Sequence, residues 1–460
     1  MAKGIINLHI GHKPDHGLAI SVDGRESSTG APETQDILPN GLGSCPKNEG
    51  PRWYSAWLSA QFNELPAEVF DIFHSEHEHC TPGSHWDLFV SAFLAIAESI
   101  VSTSNITIDG VIIQLLDKQL MPTDASPETL QYARYFIFSV LGWQTMLFQP
   151  ARPTDQPQQQ PQPPQQLAIN EQRGCCEFTH MDLQQPMGVC AHEPLSELLM
   201  GFGILLPATN ICLNDDPDVQ QVFHHRTEVN AKTFNAYSLS SIAGIRIKWV
   251  DALACHLEFN STTKELSLFR FPSFCLLSLE SYARRRRRGC IHACATTSKL
   301  RCQWATEEDV DQLLREILLS YRLLFAQTKK ARRVFRAVDP FAHGPRESRD
   351  LLLGSLCGKR KNNDDRNNNS DMMMVLCGLG VPLQKETYCL PRDFPVLRYR
   401  ITVLQRLLDT TTARTWAQLW RDKRDSANWL TFWAVIFFGA FGSLMAFMQV
   451  VLQFVQLFVT

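Results

Sequence analysis

With 460 residues, 44% of them hydrophobic and 10% aromatic, the chain has ample apolar mass for one large soluble domain or two smaller ones. Its formal net charge of −3 argues against general nucleic-acid affinity, so no nucleic-acid partner is expected. No Gly-rich phosphate loop, nucleophile elbow or kinase signature set is present.

Residues 1–50 are rich in Gly, Pro, Ser and Asn without periodicity, and a disordered or loosely ordered N-terminus is expected. The opening MAKGIINLHIGHKPDHGL has no continuous apolar core after a basic start, so a secretory signal is not expected. Residues 51–149 form a helical region. SAWLSAQFNEL, HWDLFVSAFLAIAESIV and VIIQLLDKQL place apolar residues at helical spacing, and SPETLQYARYFIFSVLGWQTMLF begins with Ser126 as N-cap and Pro127 at the first helical position. Residues 150–170 include an almost pure Pro/Gln tract, which reads as an exposed insertion or linker.

From 171 to 394 the period changes and an α+β region is expected. LSELLMGFGILL is helical; Ile245, Ile247 and Trp249 alternate with Gly, Arg and Lys as in a strand. Leu257, Phe259, Leu266 and Leu268 flank the turn-like Asn260–Lys264, giving a β-hairpin near 245–271. Thr306 then caps a helix with an apolar stripe through Val310, Leu313, Leu314, Ile317, Leu318, Tyr321, Leu324 and Phe325. Two basic clusters stand out: Arg284–Arg288, and Lys329, Lys330, Arg332, Arg333 and Arg336. Each is either a solvated face or an attraction to anionic lipid headgroups.

Residues 395–427 read as a juxtamembrane helix with Leu397, Ile401, Leu404 and Leu408 at heptad-like spacing, suited to a coiled coil or to packing on the domain. Residues 428–450 read as a transmembrane helix and 451–460 as a short apolar tail. The segment 426–460 contains no Asp, Glu, Lys, Arg or His, and about 20 apolar residues cross a hydrocarbon core of about 30 Å. Trp429 and Trp433 mark its first interface, and Arg421, Lys423 and Arg424 form a basic flank just outside. The positive-inside rule then places the preceding domain in the cytoplasm, in a tail-anchored arrangement. A C-terminal flank without basic residues points to the endomembrane system over the mitochondrial outer membrane. Gly439, Gly442, Ser443 and Ala446 form overlapping small-xxx-small pairs, the spacing at which two membrane helices approach closely and a homodimer forms; small residues are also common in single spans.

Fourteen cysteines are scattered through apolar surroundings, as at Cys212, Cys255, Cys275 and Cys377, and are expected to be reduced and mostly buried. The candidate metal ligands are His74, His77, His79 and Cys80, with His85 nearby, because imidazole and thiolate suit zinc; a surface histidine turn is the other reading. Cys175, Cys176, His180, Cys190 and His192 make a second set, and Cys290, His292, Cys294 and Cys302 a third. None has the paired two-ligand blocks of a zinc finger, and no cofactor is expected. Candidate acid–base residues are Asp251, His256 and Glu258, where strand alternation would put His256 and Glu258 on one face and Asp251 could orient the imidazole.

The stretches IRIKWVDALACHLEFNSTTKELSLFRFPSFC, FSVLGWQTMLFQP, LLMGFGILLP and TWAQLWRDKRDSANWLTFWAVIFFGAFG resemble, in the same order, a group of uncharacterised filamentous-fungal proteins with a single C-terminal span. The resemblance implies a membrane-attached protein and carries over no catalytic residue. The expected fold class is therefore α+β: a mostly helical cytoplasmic domain with a small antiparallel β element, plus one C-terminal transmembrane helix. An interaction or scaffold module with an unknown protein partner is the leading reading of function. The alternative is a membrane-tethered enzyme or metal-binding protein using Asp251, His256 and Glu258 or a Cys/His cluster.

Overall fold

Helix formation is clearest in the segment Pro127–Thr145, where the Ser126 hydroxyl accepts the Thr129 N–H, Pro127 occupies the first turn and Met146 closes the helix in the left-handed region at φ 50°. Every residue from Tyr135 to Thr145 is buried. A helix apolar on all sides belongs in the centre of a core, and this one lies there. The computed structural model describes residues 52–73, 82–152, 163–170, 184–204, 221, 223–285, 288–295, 305–358, 376–378, 381, 385–411 and 426–459.

In chain order, α1 (Arg52–Phe62), α2 (Pro82–Ser102), α3 (Ile108–Asp117) and α4 (Pro127–Thr145) form the first helical group, as their apolar spacing predicts. Strands β1 (Gln166–Ala168) and β2 (Gln184–Pro186) pair antiparallel. Pro150 bridges Ile169, and the Ala151 N–H reaches Ala168 O at 2.8 Å, so the two ends of the Pro/Gln tract return to each other. Helix α5 (Leu195–Gly201) follows, then β3 (Glu228–Asn230), α6 (Ala236–Ser241), β4 (Arg246–Val250), β5 (Glu258–Asn260) and β6 (Glu265–Phe269).

The hairpin β5–β6 is antiparallel, with Phe259 opposite Leu266. Its turn is held by Asn260, whose side-chain oxygen accepts the Thr262 and Thr263 N–H groups at 2.9 Å. Strand β4 runs parallel to β6, Trp249 opposite Leu268. Alternation alone identifies β4 as a strand but leaves its partner's direction open.

Helices α7 (Pro272–Arg285) and α8 (Glu307–Tyr321) pack against each other, and the Tyr321 hydroxyl at the end of α8 donates to the Phe269 carbonyl at the end of β6. A capping box between Thr306 and Asp309 starts α8, and a single π turn, Arg322–Ala326, ends it. Then come α9 (Lys329–Val338), α10 (Leu351–Leu356), β7 (Thr387–Cys389, antiparallel to β3), α11 (Arg398–Thr410) and α12 (Ser426–Val459). One apolar core runs from Trp53 to Leu408 through all the helices before α12. Leu397, Ile401, Leu404 and Leu408 are each no more than 3% exposed, so the heptad-like stripe packs on its own domain.

Gly142 is placed where α4 meets the turn after it. A Cβ there would lie 2.9 Å from Phe148 Cε2 and 3.0 Å from the Phe148 carbonyl oxygen. Gly142→Ala, which gains about 1 kcal/mol of helix propensity, is nevertheless expected to destabilise by about 1–3 kcal/mol through overpacking. A raised melting temperature for this variant would refute that close approach.

Candidate functional site

The C-terminal helix has the strongest functional character in the molecule. Within α12, Trp433–Gln456 is 24 residues of apolar sequence with none of it buried. A core helix of the same composition would be covered on all sides; this one leaves Phe437, Phe438 and Leu452 each more than half exposed. At 1.5 Å per residue that stretch is about 36 Å long, sufficient for one crossing. The chain thus carries a single C-terminal helix of membrane-spanning character among the described residues. The helix continues past Val450 to Val459, because no Gly or Pro follows Gly442 to stop it. Ser443 back-bonds to the Gly439 carbonyl at 2.9 Å, and a Cβ at Gly439 or Gly442 would meet nothing within 4 Å. Arg421, Lys423, Arg424 and the Trp429 side chain lie outside the described residues.

The lead-in to this helix is gripped by a buried carboxylate. Glu316 of α8 is fully buried, and its oxygens accept the Val396 N–H at 3.0 Å, the Leu397 N–H at 2.6 Å and the Gln312 side-chain amide at 2.9 Å. Leu397 is the N-cap residue of α11 and Val396 the residue before it, so Glu316 fixes the entry to α11 from about 80 residues away in sequence. Burial pushes the Glu316 carboxyl up to about 8 despite the three hydrogen bonds that oppose it.

The expected acid–base residues have other partners. Asp251, at the end of β4, pairs with Arg270 Nε at 2.5 Å and accepts Trp57 Nε1–H at 3.0 Å. His256 is fully buried: Nδ1 accepts the Phe269 N–H at 3.1 Å, so Nε2 carries the proton and faces Ser320 Oγ at 2.6 Å. Ser320 in turn donates to the Ile317 carbonyl. Both ring nitrogens are occupied, so Asp251 does not orient this imidazole. Burial, and then the nearby Arg400 cation, push His256 down to about 3, which keeps it neutral near pH 7. Glu258 is buried at the start of β5, in register with Ser267.

Among the candidate metal ligands, His74, His77, His79, Cys80, Cys175, Cys176, His180 and Cys302 lie outside the described residues, as does the side chain of His85. Cys190 is buried against Gln185, with its thiol pushed up to about 11, whereas His192 faces Asp109 at the surface. Cys290 meets Gln144, burial pushes its thiol up to about 12, and Cys294 is raised also. His292 Nε2 lies 3.0 Å from Asp311 Oδ1. Among the described residues no three His, Cys, Asp or Glu side chains converge as a metal site. Cys212 lies outside the described residues, Cys255 and Cys275 are buried thiols, and Cys377 is exposed.

Three buried ionisable side chains have no strong local sign in the sequence. Glu316 interrupts the apolar arc between Leu313 and Ile317, the visible sign that a carboxylate would be enclosed. Asp350 precedes the apolar run of α10; it accepts the Ser273 N–H and hydroxyl at 2.8 Å and the Leu352 N–H at 2.9 Å, while burial pushes it up to about 6. Arg322 opens the π turn at 7% exposure, and no carboxylate among the described residues pairs with it. Comparison of the chain with protein-family models, curated proteins and solved structures finds no match.

Proposed function

We propose that this chain is a single-pass, tail-anchored membrane protein of the endomembrane system. Its helical domain faces the cytoplasm as an interaction or scaffold module for another protein. The observation that carries this reading is α12, apolar over 24 residues with none of them buried in the rest of the chain. Orientation rests on Arg421, Lys423 and Arg424, which precede the helix and favour the cytoplasmic side. The commitment of Asp251 and His256 to internal partners supports binding over catalysis by these residues. Gly439, Gly442, Ser443 and Ala446 would bring two copies together in the membrane.

Topology is tested in closed microsomes with one epitope before Met1 and another after Thr460. Protease should remove the first and leave the second protected, while alkaline carbonate fails to extract the chain. Protection of the N-terminal epitope would overturn the orientation, and extraction by carbonate would overturn the span. Proximity labelling by the full chain, compared with a version ending at Asp425, then identifies neighbours that depend on the membrane and those that do not. A module that gathers no reproducible protein neighbours in either form would not be a scaffold.

A further inference from the structure

Helix α9 carries an electrostatic conflict within its own length. Lys329 and Lys330 occupy its first turn, against the helix dipole. Lys329 and Arg333, and Arg332 and Arg336, are like-charged pairs at i,i+4, which destabilise a helix. No carboxylate among the described residues pairs with any of these five cations. Several cations elsewhere are paired: Lys118 with Glu98, Arg134 with Asp109, Arg226 with Asp409, and Lys232 with Glu386.

The opposite face of α9 is firmly seated. Ala331 and Phe335 are buried, Phe335 packs on Phe325 at 5.4 Å, Trp249 Nε1–H donates to the Val338 carbonyl, and Thr328 caps the first turn. Lys329, Lys330, Arg333 and Arg336 are exposed, with Lys330 resting 4.7 Å over the Tyr237 ring of α6. The result is a rigid platform presenting concentrated positive charge. A local conflict of this kind, uncompensated among the described residues, points to an external partner.

We infer that the basic face of α9 docks on the anionic headgroups of the bilayer that holds α12. The proposal rests on the membrane reading above and adds to it a second point of attachment. Helix α6 packs against both α9 and α11, and only the residues from 412 to 425 separate α11 and its last turn from α12. The platform and the lead-in to the span thus share one supporting helix. Lipid phosphates and carboxylates supply the counter-charge that no described carboxylate gives α9, and several cations near one anionic surface act together.

The test uses the full chain reconstituted in vesicles of neutral phosphatidylcholine, or of phosphatidylcholine with phosphatidylserine at about 30%, a content that gives a strongly negative surface. Acetylation rates of Lys329 and Lys330 are read by mass spectrometry against Lys118 and Lys264. In the anionic vesicles both lysines should react about fivefold more slowly, with the protection lost at about 0.5 M salt. Arg333→Gln with Arg336→Gln, exposed positions whose replacement relieves repulsion, should reduce that protection without lowering the melting temperature.

Equal rates in neutral and anionic vesicles, in a chain that resists carbonate extraction, would overturn the docking while leaving the anchor intact. Extraction by carbonate would instead remove the anchor itself. Protection in neutral vesicles that appears only on adding RNA or an acidic protein would also overturn the lipid proposal, assigning the face to that macromolecule.

Discussion

Glu316→Ala is expected to lower the unfolding free energy by about 3–5 kcal/mol, because it strips the Val396 and Leu397 N–H groups, just before α11, of their acceptor and leaves a cavity. The stability of the parent chain should also fall as pH rises through this group. The Glu316 carboxyl is raised from 4.5 to about 8 in the fold, so the folded state holds a proton that the unfolded state has released between those values. Its favourable contribution is complete below about 4.5 and is lost by about 8.

Two other buried groups titrate, but in lower windows. Asp350, raised from 3.8 to about 6, has the same sign over a lower range. His256, lowered from 6.5 to about 3, has the opposite sign: its contribution is complete above about 6.5 and is lost as pH falls toward 3. Of these three, Glu316 alone titrates between about 6.5 and 8. There the slope should be roughly −1.4 kcal/mol per pH unit at most. Unfolding in mild detergent at a series of pH values measures it. A slope that persists unchanged in Glu316→Gln would show that another group is responsible.

Two arginines at the middle of the span, Leu444→Arg with Met448→Arg, should move the chain out of the membrane fraction. On the insertion scale each costs about 2.5–3.5 kcal/mol at a helix centre, so together they disfavour insertion by roughly four orders of magnitude. Retention in the carbonate-resistant pellet would mean that α12 is not what holds the protein there. The small-residue face gives a separable result: Gly439→Leu with Gly442→Leu should preserve insertion but reduce a cross-linked homodimer. Unchanged cross-linking would place any dimer contact elsewhere.

Legibility followed the range over which each signal acts. Ser126 and Pro127, Thr306 with Asp309, and Asn260 before the hairpin turn all act within three or four residues, and each forms the cap or turn its chemistry predicts. The parallel direction of β4, and the pairing of β3 with β7 across more than 150 residues, have no such local sign. The candidate site divides in the same way. Asp251, His256 and Glu258 are close in sequence, but Trp57, Arg270 and Ser320 supply partners from other elements and absorb Asp251 and His256 into the fold.

The sequence by itself determined the apolar helix, the helical character of the domain, the hairpin and the two basic clusters. These depend on run length, on periods of 2 and 3.6 residues and on charge, which the order of residues states directly. Tertiary structure decided that Glu316 holds the start of α11, that His256 is neutral and enclosed, that the heptad-like stripe is consumed by its own core, and that Lys329, Lys330, Arg333 and Arg336 of α9 are exposed with no carboxylate partner among the described residues. Burial and pairing are properties of distant segments brought together, and no local pattern contains them.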